Sequence, residues 1–238
     1  GTLLSHLIEL RSRLLIIAIS VVVVFICMLP FSRDIFTVIS DPLREVLPGN
    51  AMIATAVASP LLTPFKLTFF AALFLVMPIV LFQVWTFIAP GLYKKEKRFA
   101  IPLFMTSMLL FYSGIAFAYF VVFPLMFGFF TSVAPEGVEV QTDIAQFLDF
   151  ITTIVFAFGI AFEVPVATVL VVWAGITDTK KLGKARPYVF LMAFVAGMFL
   201  TPPDIISQTL LAVPVYLLYE LGIIMSKVFV IKEPADNE

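Results

Sequence analysis

The stretch FITTIVFAFGIAFEVPVATVLVVWA, residues 150–174, is almost wholly apolar apart from Glu163 near its centre. A helix that crosses a bilayer needs about 20 such residues, and this run exceeds that. An acid at its middle lies near the bilayer midplane, where a carboxyl group costs roughly 2.5–3.5 kcal/mol on insertion scales. Desolvation there favours the neutral form. Two readings of Glu163 stand side by side: a structural acid bonded to Ser, Thr or Gln of a neighbouring span, or a functional group serving a partner, a path or a switch. Pro165, two residues on, removes a backbone bond and is expected to bend the helix.

The rest of the chain shares this character. Of 238 residues 61% are hydrophobic and 13% charged, with a net charge of −1. A soluble domain would be about 45–50% apolar, so the surplus belongs against lipid. Apolar runs occupy 14–31, 67–90, 99–130, 150–174, 188–200 and 205–230, the last cut short by Glu220 to a span of about 205–222. The first run lacks a small-residue cleavage site and reads as a retained anchor, while the opening Gly1-Thr2 without Met reads as trimmed. The fifth run, at about 20 Å of helix, is shorter than a hydrocarbon core of about 30 Å. Thr201-Pro202-Pro203-Asp204 separates it from the sixth as a turn no helix crosses. The expectation is an all-α membrane protein with six transmembrane helices in one polytopic domain over 1–238. Its fifth and sixth helices are short and thin the bilayer locally or are shielded by partners.

Twelve of the fifteen basic residues fall at the amino end, in the second–third and fourth–fifth loops, or after the sixth run. Residues 131–149 carry none, but hold Glu136, Glu139, Asp143 and Asp149. By the positive-inside rule both termini are cytoplasmic. The first outside loop, 32–65, is expected to hold an amphipathic helix over 34–46, interrupted at Asp41-Pro42, with Ser59-Pro60 and Thr63-Pro64 stiffening the end of the loop. Pro135-Glu136-Gly137 signals a turn.

Leu3, Leu7, Leu10 and Leu14 share one face, so the amino-terminal segment reads as a helix lying on the membrane surface. Glu9 and Arg13, four apart, are placed to pair. Glu96 stands among Lys94, Lys95, Lys97 and Arg98, either as a solvated balancing acid or as a carboxylate held for a cationic ligand, for which an arginine fork is the natural match. Glu9 and Glu96 both belong to the cytoplasmic surface, where one cationic peptide could meet both. Asp204 reads as the cap of the sixth helix; Gln83, Thr201 and Gln208 are further polar groups at membrane depth. His6 is the sole histidine and Cys27 the sole cysteine, which excludes an HExxH zinc site and an internal disulfide. There is no Gly-x-Ser-x-Gly elbow, P-loop or Gly-rich dinucleotide turn, so neither an enzyme nor a cofactor is expected.

Six blocks in order, Ser5–Arg11, Pro60–Lys66, Phe82–Tyr93, Phe117–Phe120, Phe158–Pro165 and Thr201–Asp204, make the chain resemble the TatC family, the multispanning core subunits of bacterial twin-arginine protein translocases. The resemblance implies six helices with a concave, glove-like face in the bacterial cytoplasmic membrane. It also implies a receptor for twin-arginine signal peptides of folded cargo, driven by the proton-motive force without nucleotide. On that resemblance Glu9 and Glu96 bind the paired arginines, bordered by Phe87, Arg11 and Lys94. Glu163 faces the concave side. Met198, Thr201 and Gln208 contact single-span TatA- or TatB-type subunits, while Pro42, Pro78 and Asp204 matter for function or integrity. Other copies of the chain and lipid are further partners; nucleic acid is not. Where family members often carry an acid in the first outside loop, this chain has Ala56. The competing class is a small-solute secondary transporter or proton relay centred on Glu163; such folds often show internal repeats, which this chain lacks.

Overall fold

The structure, a computed structural model, describes residues 3–46, 51–88 and 97–230. It is mostly helical, as expected. Helix α1, Leu3–Met28, passes through a 3-10 turn, Leu29–Phe31, into α2, Ser32–Arg44. After strand β1, Met52–Ile53, helix α3 runs from Ser59 to Ile88. Helix α4, Lys97–Phe117, continues through a π-helical turn, Ala118–Val122, into α5, Phe123–Ser132. Strand β2, Thr142–Asp143, leads into α6, Ile144–Ala161, and then α7, Val164–Trp173. The chain ends in α8, Thr179–Lys184, α9, Arg186–Leu200, and α10, Ile205–Val230. Among the described residues, five helical stretches are long and apolar enough to cross a membrane: 3–41, 59–87, 99–132, 144–173 and 205–229.

Several boundaries differ from the sequence expectation, each for a local reason. The amino-terminal segment is not a separate surface helix. No Gly or Pro lies between Leu3 and Met28, so nothing breaks the backbone before the first span. Helix α2 runs through Asp41-Pro42 uninterrupted and ends two residues later at Arg44, so the one bond the Pro42 nitrogen withholds falls close to the helix end. The second span begins at Ser59, so Pro60 opens a helix instead of stiffening a loop, its missing N–H being no loss in the first turn. Asp149 lies inside α6, not in a loop. The sixth helix is not short: α10 has 26 residues and passes Glu220. The fifth is short as expected, 15 residues or about 22 Å. The π turn ends two residues before Pro124, whose ring would press on the carbonyl of Phe120 in a regular helix; widening the turn relieves this.

The helices divide into two compact units. One comprises residues 1–108 and 127–152. In it α1 and α2 pack on α3, with Phe25 edge-on to Phe69 at 5.8 Å and Phe104 against both Phe82 and Trp85 at 6.0 and 6.4 Å. Offset and edge-to-face ring pairs of this kind add to what burial alone gives. Beside them β1 and β2 form a parallel ladder, Met52 opposite Thr142 and Ile53 opposite Asp143. Asp143 locks this ladder. Its Oδ2 accepts from the Thr55 amide at 2.9 Å and hydroxyl at 2.6 Å, while Oδ1 accepts from the Ala145 and Gln146 amides at the start of α6. One carboxylate thus caps a helix and joins two loops 88 positions apart in sequence.

The other unit comprises residues 109–126 and 153–238. Helix α10 packs on α7 and on α9. Glycines permit the approach. A Cβ on Gly222 would lie 2.7 Å from Thr168 Oγ1, one on Gly114 2.6 Å from the Phe158 carbonyl oxygen, and one on Gly159 2.8 Å from the Phe111 ring. Small residues that let helix backbones close in are the usual glue of membrane helices, which gain no hydrophobic drive from leaving lipid. Phe111, Phe158, Ile154, Ala212 and Ile223 form the buried centre.

Thr55 holds the Asp143 carboxyl down from its ordinary 3.8 to about 2, its hydroxyl contributing most and its amide next, ahead of the Gln146 amide. Its folded value lies below its unfolded one. The stabilisation is therefore complete above about pH 4 and is lost as pH falls from there through about 2. Thermal melts should show an acid-labile component in this window that Asp143→Asn lacks. Separately, Gly114→Ala drives a methyl onto a backbone carbonyl and should cost about 1–3 kcal/mol in denaturation, as overpacking does.

Candidate functional site

Glu9 lies on α1, two turns into the helix, with its side chain 39% exposed. Arg13, one turn on, donates from Nε at 3.0 Å and from Nη2 at 2.5 Å, both to the same oxygen, Oε1. The expected pair therefore forms. The sequence reading did not foresee the far side of this guanidinium: Nη1 donates to Gln83 Oε1 at 3.0 Å and to the Thr86 hydroxyl, both on α3. Gln83 and Thr86 are three apart and so share a face of α3, which was the available signal. The Thr86 hydroxyl in turn donates to the Phe82 carbonyl. Arg13 is mostly buried, its side chain 21% exposed, and its charge is compensated by Glu9. Nearby, His6 meets Phe87 edge-on with centroids 6.4 Å apart. Arg11 is exposed on the same helix. Glu96 and Lys94 lie outside the described residues, as does the side chain of Pro42.

Glu163 sits at a real break. Helix α6 ends at Ala161, α7 begins at Val164, and Glu163 precedes Pro165 at the start of α7. Its amide donates to the Ile160 carbonyl and its carbonyl accepts from Ala167. The residue is half-buried, with Oε1 enclosed. The proline bend foreseen from the sequence is thus a local interruption of the ladder. Pro78 lies inside α3, which continues past it.

The turn after α9 gathers the remaining candidates. Thr201 is buried and donates to the Gly197 carbonyl at 2.8 Å. Gly197 faces the Gln208 backbone, so a Cβ there would stand 3.5 Å from the Gln208 Cα. Asp204 Oδ1 accepts from the Ser207 amide at 2.7 Å, capping α10 as expected. Met198 is exposed. In the same unit an apolar groove is lined by Val121 and Val122 of the π turn and by Ile206, Thr209, Leu210 and Pro214 of α10.

One further contact was not read from the sequence. Arg186 Nε and Nη2 donate to Glu220 Oε1 at 2.5 Å and Oε2 at 3.0 Å, a two-point fork between α9 and α10. The Tyr219 hydroxyl also donates to the Leu182 carbonyl. Glu220 inside an apolar run was itself the signal that a cation must stand nearby.

The profile of the family described as Sec-independent protein translocase protein (TatC) matches residues 5–214. The chain belongs to the TatC family. It is 61% identical over 222 residues to a Sec-independent protein translocase protein TatC of Azotobacter chroococcum mcd 1, covering 93% of this chain and 87% of that one. It is 57% identical over 229 residues to the TatC of Escherichia coli strain K12, covering 96% and 89%. A crystal structure described as the twin arginine translocase receptor TatC superposes with a TM-score of 0.82 at 33% identity, over 94% of this chain and 99% of that chain. The protein is therefore a TatC-type component of a Sec-independent protein translocase and a multi-pass membrane protein.

Proposed function

We propose that this TatC-family chain is the receptor for twin-arginine signal peptides on folded cargo, and the core on which the other translocase subunits assemble. One observation carries the reading. Glu9 is a partly exposed carboxylate with one oxygen engaged by Arg13, and Oε2 accepts no hydrogen bond among the described residues. An anionic oxygen left open beside the His6–Phe87 edge suits a guanidinium from outside the chain. Glu96 supplies the second carboxylate, with Phe87, Arg11 and Lys94 at the border. Both ends of the chain face the cytoplasm, six helices cross the bacterial cytoplasmic membrane around a concave face, and the proton-motive force drives transport. The short α9 is the fifth crossing.

Partner helices of the TatA and TatB type dock where Met198, Thr201 and Gln208 meet the polar turn, within reach of the apolar groove on α10. Glu163 offers them a hydrogen bond at membrane depth and Asp204 fixes the turn, while Pro42 and Pro78, in the other unit, matter for function or integrity. Further copies of the chain complete the assembly.

A charge-assisted hydrogen bond is worth about 1.5–3 kcal/mol. Glu9→Gln and Glu96→Gln should each weaken binding of a twin-arginine peptide about ten- to a hundredfold with membrane insertion intact. Wild-type affinity in either variant, measured by fluorescence anisotropy on the purified chain, would count against the site. If Glu163 acts as a hydrogen-bonding group, Glu163→Gln should retain crosslinks to partner helices that Glu163→Ala loses; equal loss in both would remove hydrogen bonding as its role.

A further inference from the structure

We infer that Arg13 is a positioning residue that sets the specificity of the Glu9 half-site, making it accept one cationic donor group and not a guanidinium fork. The inference rests on the receptor reading above and adds to it a rule for what Glu9 selects.

A carboxylate has two oxygens with about four lone-pair directions between them. Arg13 Nε and Nη2 both donate to Glu9 Oε1, which uses both directions on that oxygen. The fork-on-fork pair that distinguishes arginine from lysine needs one N–H on each oxygen at once. With Oε1 filled, that geometry is closed to an incoming ligand. Oε2 remains: an ammonium can meet it with one N–H, and a guanidinium with one N–H or, as Arg13 does on Oε1, with two on the one oxygen, but the fork across both oxygens that sets arginine apart is closed.

Arg13 does not readily leave this post. Its remaining donor arm is fastened to Gln83 Oε1 and to the Thr86 hydroxyl on α3. The side chain is only 21% exposed, so withdrawing it from Glu9 would leave a mostly buried cation without its counter-charge. The same anchoring fixes the direction in which Oε2 points. Glu9 thus offers a single defined acceptor oxygen, and discrimination between arginine and lysine at this half-site is weaker than a fork across both oxygens would give.

The test uses the full-length chain in nanodiscs and four signal peptides carrying Arg-Arg, Lys-Arg, Arg-Lys or Lys-Lys at the paired positions, with affinities read by fluorescence anisotropy. In the unaltered chain, one of the two single-lysine peptides should bind within about threefold of the Arg-Arg peptide. Arg13→Gln opens both Glu9 oxygens and should raise that penalty to about tenfold or more. Arg13→Lys, which keeps a cation in the α1–α3 contact but covers Oε1 with a single donor, should give an intermediate penalty and serves where Arg13→Gln fails to fold. Adding Glu9→Gln should abolish the effect of Arg13→Gln on the lysine penalty. If the Arg13 variants weaken all four peptides by one common factor, Arg13 is a scaffold residue alone and the inference is overturned. If Glu9→Gln leaves all four affinities unchanged, the receptor reading fails at Glu9 and the inference falls with it.

Discussion

Hydrocarbon offers no partner to an N–H, a hydroxyl or a carboxylate, so each polar group in a spanning helix must be answered by the chain itself. This constraint organises the fold. Hydroxyls along the helices turn back on the carbonyl four residues earlier: Ser20 on Ile16, Thr68 on Pro64, Ser113 on Leu109, Thr168 on Val164, Ser226 on Gly222. Such back-bonding satisfies a hydroxyl without a neighbouring helix, and it allows serine and threonine to sit on faces that look into lipid. Charges require more. Arg13 draws on two helices, and Arg186 draws its carboxylate from across the α9–α10 turn.

The same economy explains the irregular segments. Proline withdraws a donor and pushes aside a carbonyl; Pro64, Pro78, Pro102 and Pro214 lie inside helices, but several others stand where that loss is tolerable. Pro60 opens a helix, Pro165 opens α7 behind the Glu163 break, and Pro124 follows the π turn. Outside the spans, where water is available, Asp143 and Asp178 cap helices instead. Asp178 receives the Lys181 amide, which, more than the lysine charges themselves, holds its carboxyl below the usual range.

Much of this was legible in the sequence because the bilayer enforces simple rules. Apolar run length located the spanning stretches, the Thr201–Asp204 turn separated the last two helices, and Glu9 with Arg13 announced an ion pair. Ends were less legible. Whether a proline breaks a helix depends on its place within the helix, and that place is set by packing: α2 carries Asp41-Pro42 without a break, and Pro60, expected to stiffen a loop, lies in the first turn of α3. Glu220 inside an apolar run signals a partner, but a single sequence does not say which: Arg186 lies 34 positions away, and without it the acid reads as cutting the sixth helix short. The Arg13 link to Gln83 and Thr86 was hidden in the same way, since it depends on the register at which α1 meets α3. The Thr55–Asp143 ladder spans 88 positions and leaves only a two-residue strand on each side, too little for any periodicity to betray.

The unbroken course of α1 has a mechanical side. Twenty-six residues make a rod of about 39 Å, with Glu9 near one tip and the 3-10 turn at the other. For such a rod, a change of tilt of about 10° about its distal end carries the opposite tip through roughly 7 Å. The carboxylate therefore sits near the end of a lever, and a change in the inclination of that helix displaces the acid only as far as the Arg13 tie to α3 gives way or moves with it.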